Sequence, residues 1–252
     1  MEMLSFDLSG KFAHFRKYYA NNTALTFAIP PGTTLMGRAA ALLGLPRDSY
    51  YETLGPDHLR FGVRILSPVK KSFHRLNLLM IKGGSDFRGQ KGRVQTPFEM
   101  VTGWDIKRDE VAYRIYISPV NDEVTVFEDL KRRLANNERG YNLSLGPAFC
   151  LASLSNVRLG LKAEPRTESQ DFVSIHSAVP VRQVQELDMS SEKMLIEEEL
   201  LPGAFLENYE RELSSMHQVL FSTDGQPMRV KIEGEYLAVT HDGQTELITF
   251  LE

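Results

Sequence analysis

The chain has 252 residues, of which 42% are hydrophobic, 25% charged and 10% aromatic, and a formal net charge of −4. That is enough chain for one large domain or two small ones around a buried core, and the lone Cys150 excludes an internal disulfide and a cysteine-rich zinc site. No apolar run approaches the roughly 20 residues that span a bilayer, and no basic segment leads into an apolar one at the N-terminus, so neither a membrane nor a signal peptide is expected and a reducing, cytoplasmic setting fits.

Taken in chain order, residues 3–9 alternate Met3, Ser5, Asp7 and Ser9 with Leu4, Phe6 and Leu8, the period of a strand. A proline pair at 30–31 stops an extended segment, and a helix is expected over 34–43, with Thr33 or Thr34 as N-cap and Gly44 at its C-terminal end. A helical turn over 50–54 and a strand over 60–66 follow. Residues 67–102 form a basic, glycine-punctuated insertion, and 111–118 a strand rich in β-branched and aromatic residues. A helix over 123–138 carries Val126, Phe127, Leu130 and Leu134 as its apolar stripe and stops at Gly140. Residues 143–160 run from a turn at Gly146-Pro147 into a strand-like stretch. This order matches a βαββαβ unit of the ferredoxin-like kind with a hairpin inserted between its middle strands.

Beyond Ala163 the signals are short strands at 172–175, 181–187, 193–200, 217–222, 228–233, 236–240 and 245–251, with hairpin turns at Gly234-Glu235 and Asp242-Gly243. The polar stretch Lys162–Gln170, which contains Pro165, marks the boundary between an N-terminal unit, 1–162, and a β-rich C-terminal one, 163–252. The fold class expected is therefore α+β, a ferredoxin-like first domain followed by a mostly β second one. No repeat or low-complexity tract interrupts it.

Charge is distributed unevenly along the chain. Residues 1–102 hold 14 Lys/Arg against 7 Asp/Glu, while 103–252 hold 15 against 26. An opposite balance in the two parts suggests a polyanion for the first and a protein contact for the second, the alternative being ordinary fluctuation of surface charge. The positions of the basic residues favour the polyanion. Lys11, His14, Arg16 and Lys17 are interleaved with Phe12, Phe15, Tyr18 and Tyr19; cations that meet phosphates beside rings that stack on bases suit single-stranded nucleic acid. The 67–102 insertion carries Lys70, Lys71, Arg75, Lys82, Arg88, Lys91 and Arg93, plus His74, against only Asp86 and Glu99. It reads as a mobile basic hairpin that tracks a phosphate backbone, or as a loop kept soluble by its lysines.

Other chemistries lack their signatures. The six histidines show no metal-ligand spacing, and neither a phosphate-binding Gly-x-x-x-x-Gly-Lys loop nor a Gly-x-Ser-x-Gly elbow is present, so no metal and no cofactor is expected. Glu197, Glu198 and Glu199 read as a solvated acidic face, and Trp104 as a packing residue with partner contact as the alternative.

Three segments in order, Phe6–Tyr19 with Pro30–Gly44, Arg93–Met100 leading to Tyr113–Ile117, and Tyr141–Ala152, resemble the CRISPR-associated Cas-five family of the RAMP superfamily. The likeness covers about 4–160, and the string Phe-Ala-His-Phe-Arg-Lys-Tyr-Tyr is most similar to type I-B members. It implies a subunit of a type I Cascade complex, a ribonucleoprotein of antiviral defence, that caps the 5′ tag of the guide RNA (crRNA). It further implies anchoring of the backbone and large subunits, and proximity to target DNA near the PAM through the complex. Its inserted hairpin is the family's thumb. RNA contact is thereby implied for Lys11, His14, Phe15, Arg16, Lys17, Tyr18, Tyr19, Arg38, Lys70, Lys71, His74, Arg75, Arg88, Lys91, Arg93, Gln95 and Gly146. Pro147 stands where many members carry arginine, so Gly146 is either a phosphate-approaching loop or a plain tight turn. No catalytic residue is expected. The alternative is a metal-independent endoribonuclease using His14, Lys17, Tyr18 and Tyr19, although neighbours on an extended segment point in alternate directions. A ferredoxin-like RNA-binding domain outside CRISPR biology is the third reading.

Overall fold

The structure, a computed structural model, describes residues 1–20, 23–121, 125–190, 195–206 and 211–252. Strand β1 (Glu2–Gly10) leads through the short strands β2 (Phe12–Ala13), β3 (Phe15–Arg16) and β4 (Thr26–Phe27) to helix α1 (Gly32–Leu43). Strand β5 (Leu59–Ile65) is followed by the long hairpin β6 (Val69–Leu79) and β7 (Arg93–Gly103), then β8 (Val111–Pro119), helix α2 (Thr125–Ala135) and the 23-residue strand β9 (Ser153–Ile175). The remainder is β10 (Val179–Pro180), β11 (Val184–Leu187), β12 (Ile196–Phe205), β13 (Leu213–Ser222), β14 (Met228–His241) and β15 (Gln244–Ile248). The protein is mixed α+β and mainly strand, with two α-helices among the described residues.

One seven-stranded sheet, in the order β11-β14-β15-β9-β1-β8-β5, organises the molecule. Its section β9-β1-β8-β5 is antiparallel throughout. The alternation read in β1 is used on both faces. Leu4, Phe6 and Leu8 join the buried residues of α1 and α2 in the main core, while Met3 packs with Tyr116, Leu237 and Val239 on the other side. Smaller sheets β10-β13-β12 and β2-β7-β6 flank it.

Several boundaries differ from the sequence reading, each for a local reason. Helix α1 begins at Gly32, with Pro31 in the N-cap position and no side-chain cap, so Thr33 and Thr34 lie inside its first turn. Gly44 ends it in the left-handed region (φ 71°), as expected. In α2 the stop is Asn137 (φ 53°), where the Glu138 N–H reaches back to the Arg133 carbonyl. Gly140 is glycine because a Cβ there would strike the backbone of Gly44. The start expected for this helix at 123–124, and that of the strand at 193–194, lie outside the described residues.

The polar stretch 162–170 is extended strand. Strand β9 runs through it, pairing with β1 up to Lys162 and with β14 from Ala163 onward, so Pro165 lies in mid-strand opposite Leu237. The two strands expected at 228–233 and 236–240 are one. Gly234 (φ 94°) sits in a register shift of β14 against β9, a bulge rather than a hairpin turn. The turn at Asp242-Gly243 does join β14 to β15. Trp104 is 55% exposed and lies under the Lys70 ammonium instead of packing in the core.

The face of the large sheet away from the helices buries charge. Asp7, Arg114 and Arg64 stand opposite one another on β1, β8 and β5. Two guanidiniums side by side repel, and Glu246 of β15 bridges them, accepting from Arg64 at 2.5 Å and Arg114 at 2.7 Å. Asp7 takes the other edge of Arg114 through two hydrogen bonds of 2.8 and 3.1 Å. Burial alone would raise the Glu246 carboxyl, but the Tyr116 hydroxyl and the two guanidiniums outweigh it and hold its pKa below the ordinary 4.5. Because the folded value is the lower one, this stabilisation is complete above 4.5 and is lost as the pH falls through the folded pKa. Glu246→Ala should reduce the unfolding free energy in urea melts by about 3–5 kcal/mol, since it strands Arg64 and leaves Arg114 with Asp7 alone. The wild-type melting temperature should drop below pH 4.5 more steeply than that of Glu246→Gln.

Candidate nucleic-acid interface

Beyond β1 the chain turns across the mouth of α1, and the loop at Gly146 closes over it. The His14 N–H donates to the Leu145 carbonyl at 2.8 Å, and a Cβ on Gly146 (φ 119°) would collide with the His14 carbonyl. Glycine is therefore demanded at Gly146 by the neighbouring strand. Together these segments, the first turns of α1, and Pro202, Phe205, Arg211 and Leu213 line an open cleft of about 520 Å³.

Of the residues expected to meet RNA, the cleft gathers His14, Phe15, Arg16, Tyr18, Arg38 and Gly146. Phe15 contributes little to the surface, because it is buried and packs edge-on against Tyr113 at 5.8 Å. His14 is also buried; its ring lies 4.0 Å from that of Phe98. Its Nδ1 donates to the Glu99 carbonyl at 2.7 Å, which leaves Nε2 as the unprotonated nitrogen, and burial lowers its pKa below 6.5. Tyr18 and Tyr19 are half exposed and meet edge to face.

Arg38 projects from α1 onto the cleft wall and is partly buried. Burial pushes its pKa down to about 10, with Tyr50 the one charge-bearing neighbour pulling it back, so it stays a cation at neutral pH without a carboxylate beside it. Arg211 enters from the C-terminal part of the chain, held by Asp48 through bonds of 3.0 and 2.8 Å. Asp48 also accepts from the Tyr51 hydroxyl, and burial together with that bond pushes the Tyr51 pKa up to about 12. Among the described residues the cleft wall thus carries three arginines, Arg16, Arg38 and Arg211, and no Asp or Glu. Such a wall attracts anions and offers rings to bases.

The hairpin β6–β7 stands beside the cleft and divides its cations in two. At its foot, Lys71 is held by Glu197 and Glu199, both at 2.7 Å, and Lys17 reaches the same Glu199 at 3.0 Å. Glu199 is buried and accepts from the Ala28 N–H as well, so the acidic run 197–199 is not a solvated face. Lys11 donates to the Asp109 carbonyl at 3.0 Å, Lys91 pairs with Asp86 at 2.8 Å, and His74 bonds Ser72 at 3.0 Å. Farther out, Arg75, Arg88, Arg93 and Gln95 stand exposed, beside Phe73 (61% exposed) and Phe87 (70%). The sequence reading missed these two rings, along with Arg211, Tyr50 and Phe98. For the hairpin the cation-plus-ring pattern used at 11–19 would have found them; for Arg211 nothing in the sequence points to the cleft. Among the described residues no group of three His, Cys, Asp or Glu side chains is arranged to hold a metal, and no helix is long and apolar enough to cross a membrane.

Glu199→Ala should destabilise the protein by about 3–5 kcal/mol, because it leaves Lys17 without its carboxylate, leaves Lys71 with Glu197 alone and strands the buried Ala28 N–H. Exposed Glu198→Ala, one residue away on the opposite side of β12, should change stability by less than about 0.5 kcal/mol in the same urea melts.

No family model matches the chain, and no curated protein sequence does. Solved structures do. A CRISPR protein from Archaeoglobus fulgidus aligns over 98% of both chains at 13% identity with a TM-score of 0.56. A chain of a CRISPR RNA-guided surveillance complex aligns over 92% of this chain and 91% of its own at 14% identity, TM-score 0.51. A Cas protein aligns over 88% and 95% at 16% identity, TM-score 0.50. At these identities the likeness is one of fold: the chain shares, over nearly its full length, the fold of CRISPR-associated proteins.

Proposed function

We propose that the protein is a non-catalytic, RNA-binding subunit of a type I CRISPR surveillance complex of the Cascade kind, the Cas-five subunit that caps the 5′ tag of the guide RNA. The observation that carries this reading is the cleft walled by three arginines without a carboxylate, at the foot of an outstretched hairpin with free arginines and exposed rings. The shared fold supports it, since one of the solved neighbours is a chain of an RNA-guided surveillance complex. The strand order β9-β1-β8-β5 with both helices on one face supports a ferredoxin-like RNA-binding unit, with β6–β7 as its thumb. In this reading the cleft and thumb hold RNA, and the acidic surface after residue 103 meets the backbone and large subunits.

The endoribonuclease reading keeps one observation in its favour, a neutral His14 whose Nε2 is available as a base. Of the other groups this reading names, Lys17 is tied to Glu199 at 3.0 Å and Tyr18 lines the cleft with His14; the hydroxyls of Tyr51, at about 12, and of Tyr50, raised by burial, are weaker acids. Incubated in EDTA with an unprocessed repeat RNA, the purified protein should bind without cutting; site-specific cleavage that disappears in His14→Ala would establish the enzyme instead. For binding, reversal of Arg75, Arg88 and Arg93 to Glu should flatten the dependence of log K on log salt by about 0.7 for each phosphate no longer neutralised, roughly 2 in all. An unchanged slope would show that the outer thumb does not touch RNA.

A further inference from the structure

Trp104, the only tryptophan in the chain, takes no part in the cleft or the outer hairpin. It follows β7 at the hairpin's foot and is half exposed, a costly position for so large a ring. The loop that carries it is nonetheless closely built. Gly103 precedes it because a Cβ there would strike Asp109. The Asp105 N–H donates to the Asp109 carboxylate at 2.7 Å, and the Asp105 carboxylate accepts from the Lys107 N–H at 2.9 Å. The N–H groups of Arg108 and Asp109 both return to the Asp105 carbonyl. These bonds fix the loop while the ring stays in solvent.

Trp104 lines a second groove, of about 440 Å³, that shares no residue with the arginine cleft. Its other walls are aliphatic, with Val69 at the start of β6 and Leu195 and Ile196 leading into β12. Leu195 is half exposed as well. Two large apolar side chains left in solvent around one concavity mark a place that another molecule covers. Charge in the groove is out of balance by one cation. Lys71 pairs with Glu197 at 2.7 Å, whereas Lys70 is exposed and its ammonium has the Trp104 ring for a neighbour, 5.6 Å from the centroid. Among the described residues no carboxylate pairs with Lys70, and the acids of the Trp104 loop are engaged with that loop's own N–H groups.

The occupant that fits is a polypeptide segment bringing a carboxylate to Lys70 and a bulky aliphatic side chain to the space between Trp104 and Leu195. Nucleic acid fits less well. The Glu197 carboxylate in the groove opposes a phosphate, and the aliphatic walls offer neither donors to phosphate nor a stacking surface to bases. We infer that the groove at the foot of the β6–β7 hairpin docks an acidic and aliphatic segment of a protein partner, with Trp104 as its anchor and Lys70 as its charge contact. Because the groove is separate from the cleft, this docking site stands apart from the RNA-binding reading.

Selection of a random peptide library on the immobilised full chain, with Trp104→Ala as counter-selection, tests this. Enriched peptides should carry Asp or Glu within a residue or two of Leu, Ile, Val or Met. Since Trp104 is the only tryptophan, its fluorescence reports on the groove alone, and a tryptophan-free consensus peptide should shift the emission to the blue and saturate. In calorimetry Trp104→Ala should weaken that peptide by at least about tenfold, the scale of losing an interface anchor. Replacing the peptide's acid by its amide should weaken binding to the wild type and make no difference on Lys70→Gln, a coupling that a merely structural Lys70 would not show. Both variants alter exposed side chains and should melt close to the wild-type temperature. No enrichment over Trp104→Ala, enrichment of Lys and Arg instead of acids, or an emission shift produced by single-stranded RNA and reversed by the peptide overturns the proposal. Affinity for that RNA, measured on the same preparations, should be unchanged in Trp104→Ala. If the chain binds RNA and no such peptide, the docking site falls while the RNA-binding reading stands; if it binds the peptide through Trp104 and no RNA, the reverse holds.

Discussion

The buried carboxylate of Glu199 is the contact on which the arrangement of the interface depends. It projects from β12 into the junction of three segments distant in sequence, and accepts from the Ala28 N–H ahead of α1, from Lys17 in the aromatic-basic segment and from Lys71 at the foot of the thumb. The backbone amide fixes the approach to the helix, and the two ammonium groups fix the hairpin and the segment that crosses it. Since a carboxylate at this depth is stable only when its oxygens are occupied, the three contacts support one another. The cleft lies between the parts thus joined.

This constraint also sorts the basic residues by role. Lys17 and Lys71 contribute to a favourable balance of positive charge on paper, yet their charge is satisfied internally. Charge available to an external anion resides in Arg16 and Arg38 within the cleft and in Lys70, Arg75, Lys82, Arg88 and Arg93 along the thumb. Both cleft positions are arginine, which suits planar, two-pronged hydrogen bonding, while the thumb mixes arginine with lysine. The C-terminal strands take part in this site, through Arg211 and the wall at Pro202 and Phe205, despite the acidic character of that part of the chain.

Elements whose signals are local were legible in the sequence. The alternation of β1, the β-branched run of β8, the glycine that ends α1 and the turn at Asp242-Gly243 all appear where periodicity and turn chemistry put them. The errors share a cause, since each misread residue answers to a distant one. Gly140 looks like a helix stop but is dictated by Gly44; Gly234 looks like a turn but bulges against β9. The polar stretch with Pro165 carries no strand signal but is held in a strand by β14. Three consecutive glutamates cannot all face water on a strand, because alternate residues point to opposite sides; Glu198 is exposed and Glu199 buried. Within the site, His14, Arg16 and Tyr18 were found because they sit together in sequence and Arg38 because its segment resembles the family, whereas Arg211 arrives from the far part of the chain.

On the proposed reading, a single strand of RNA follows the thumb into the cleft. Photocrosslinking with a guide-length RNA carrying 4-thiouridine at successive positions, followed by mass spectrometry of the adducts, maps its path directly. Adducts are expected at Tyr18, Tyr50 or Phe98 from one short run of positions, and at Phe73 or Phe87 from the adjacent run. Adducts confined to β11 and β14 on the far side of the sheet, or spread evenly over the surface, would contradict it.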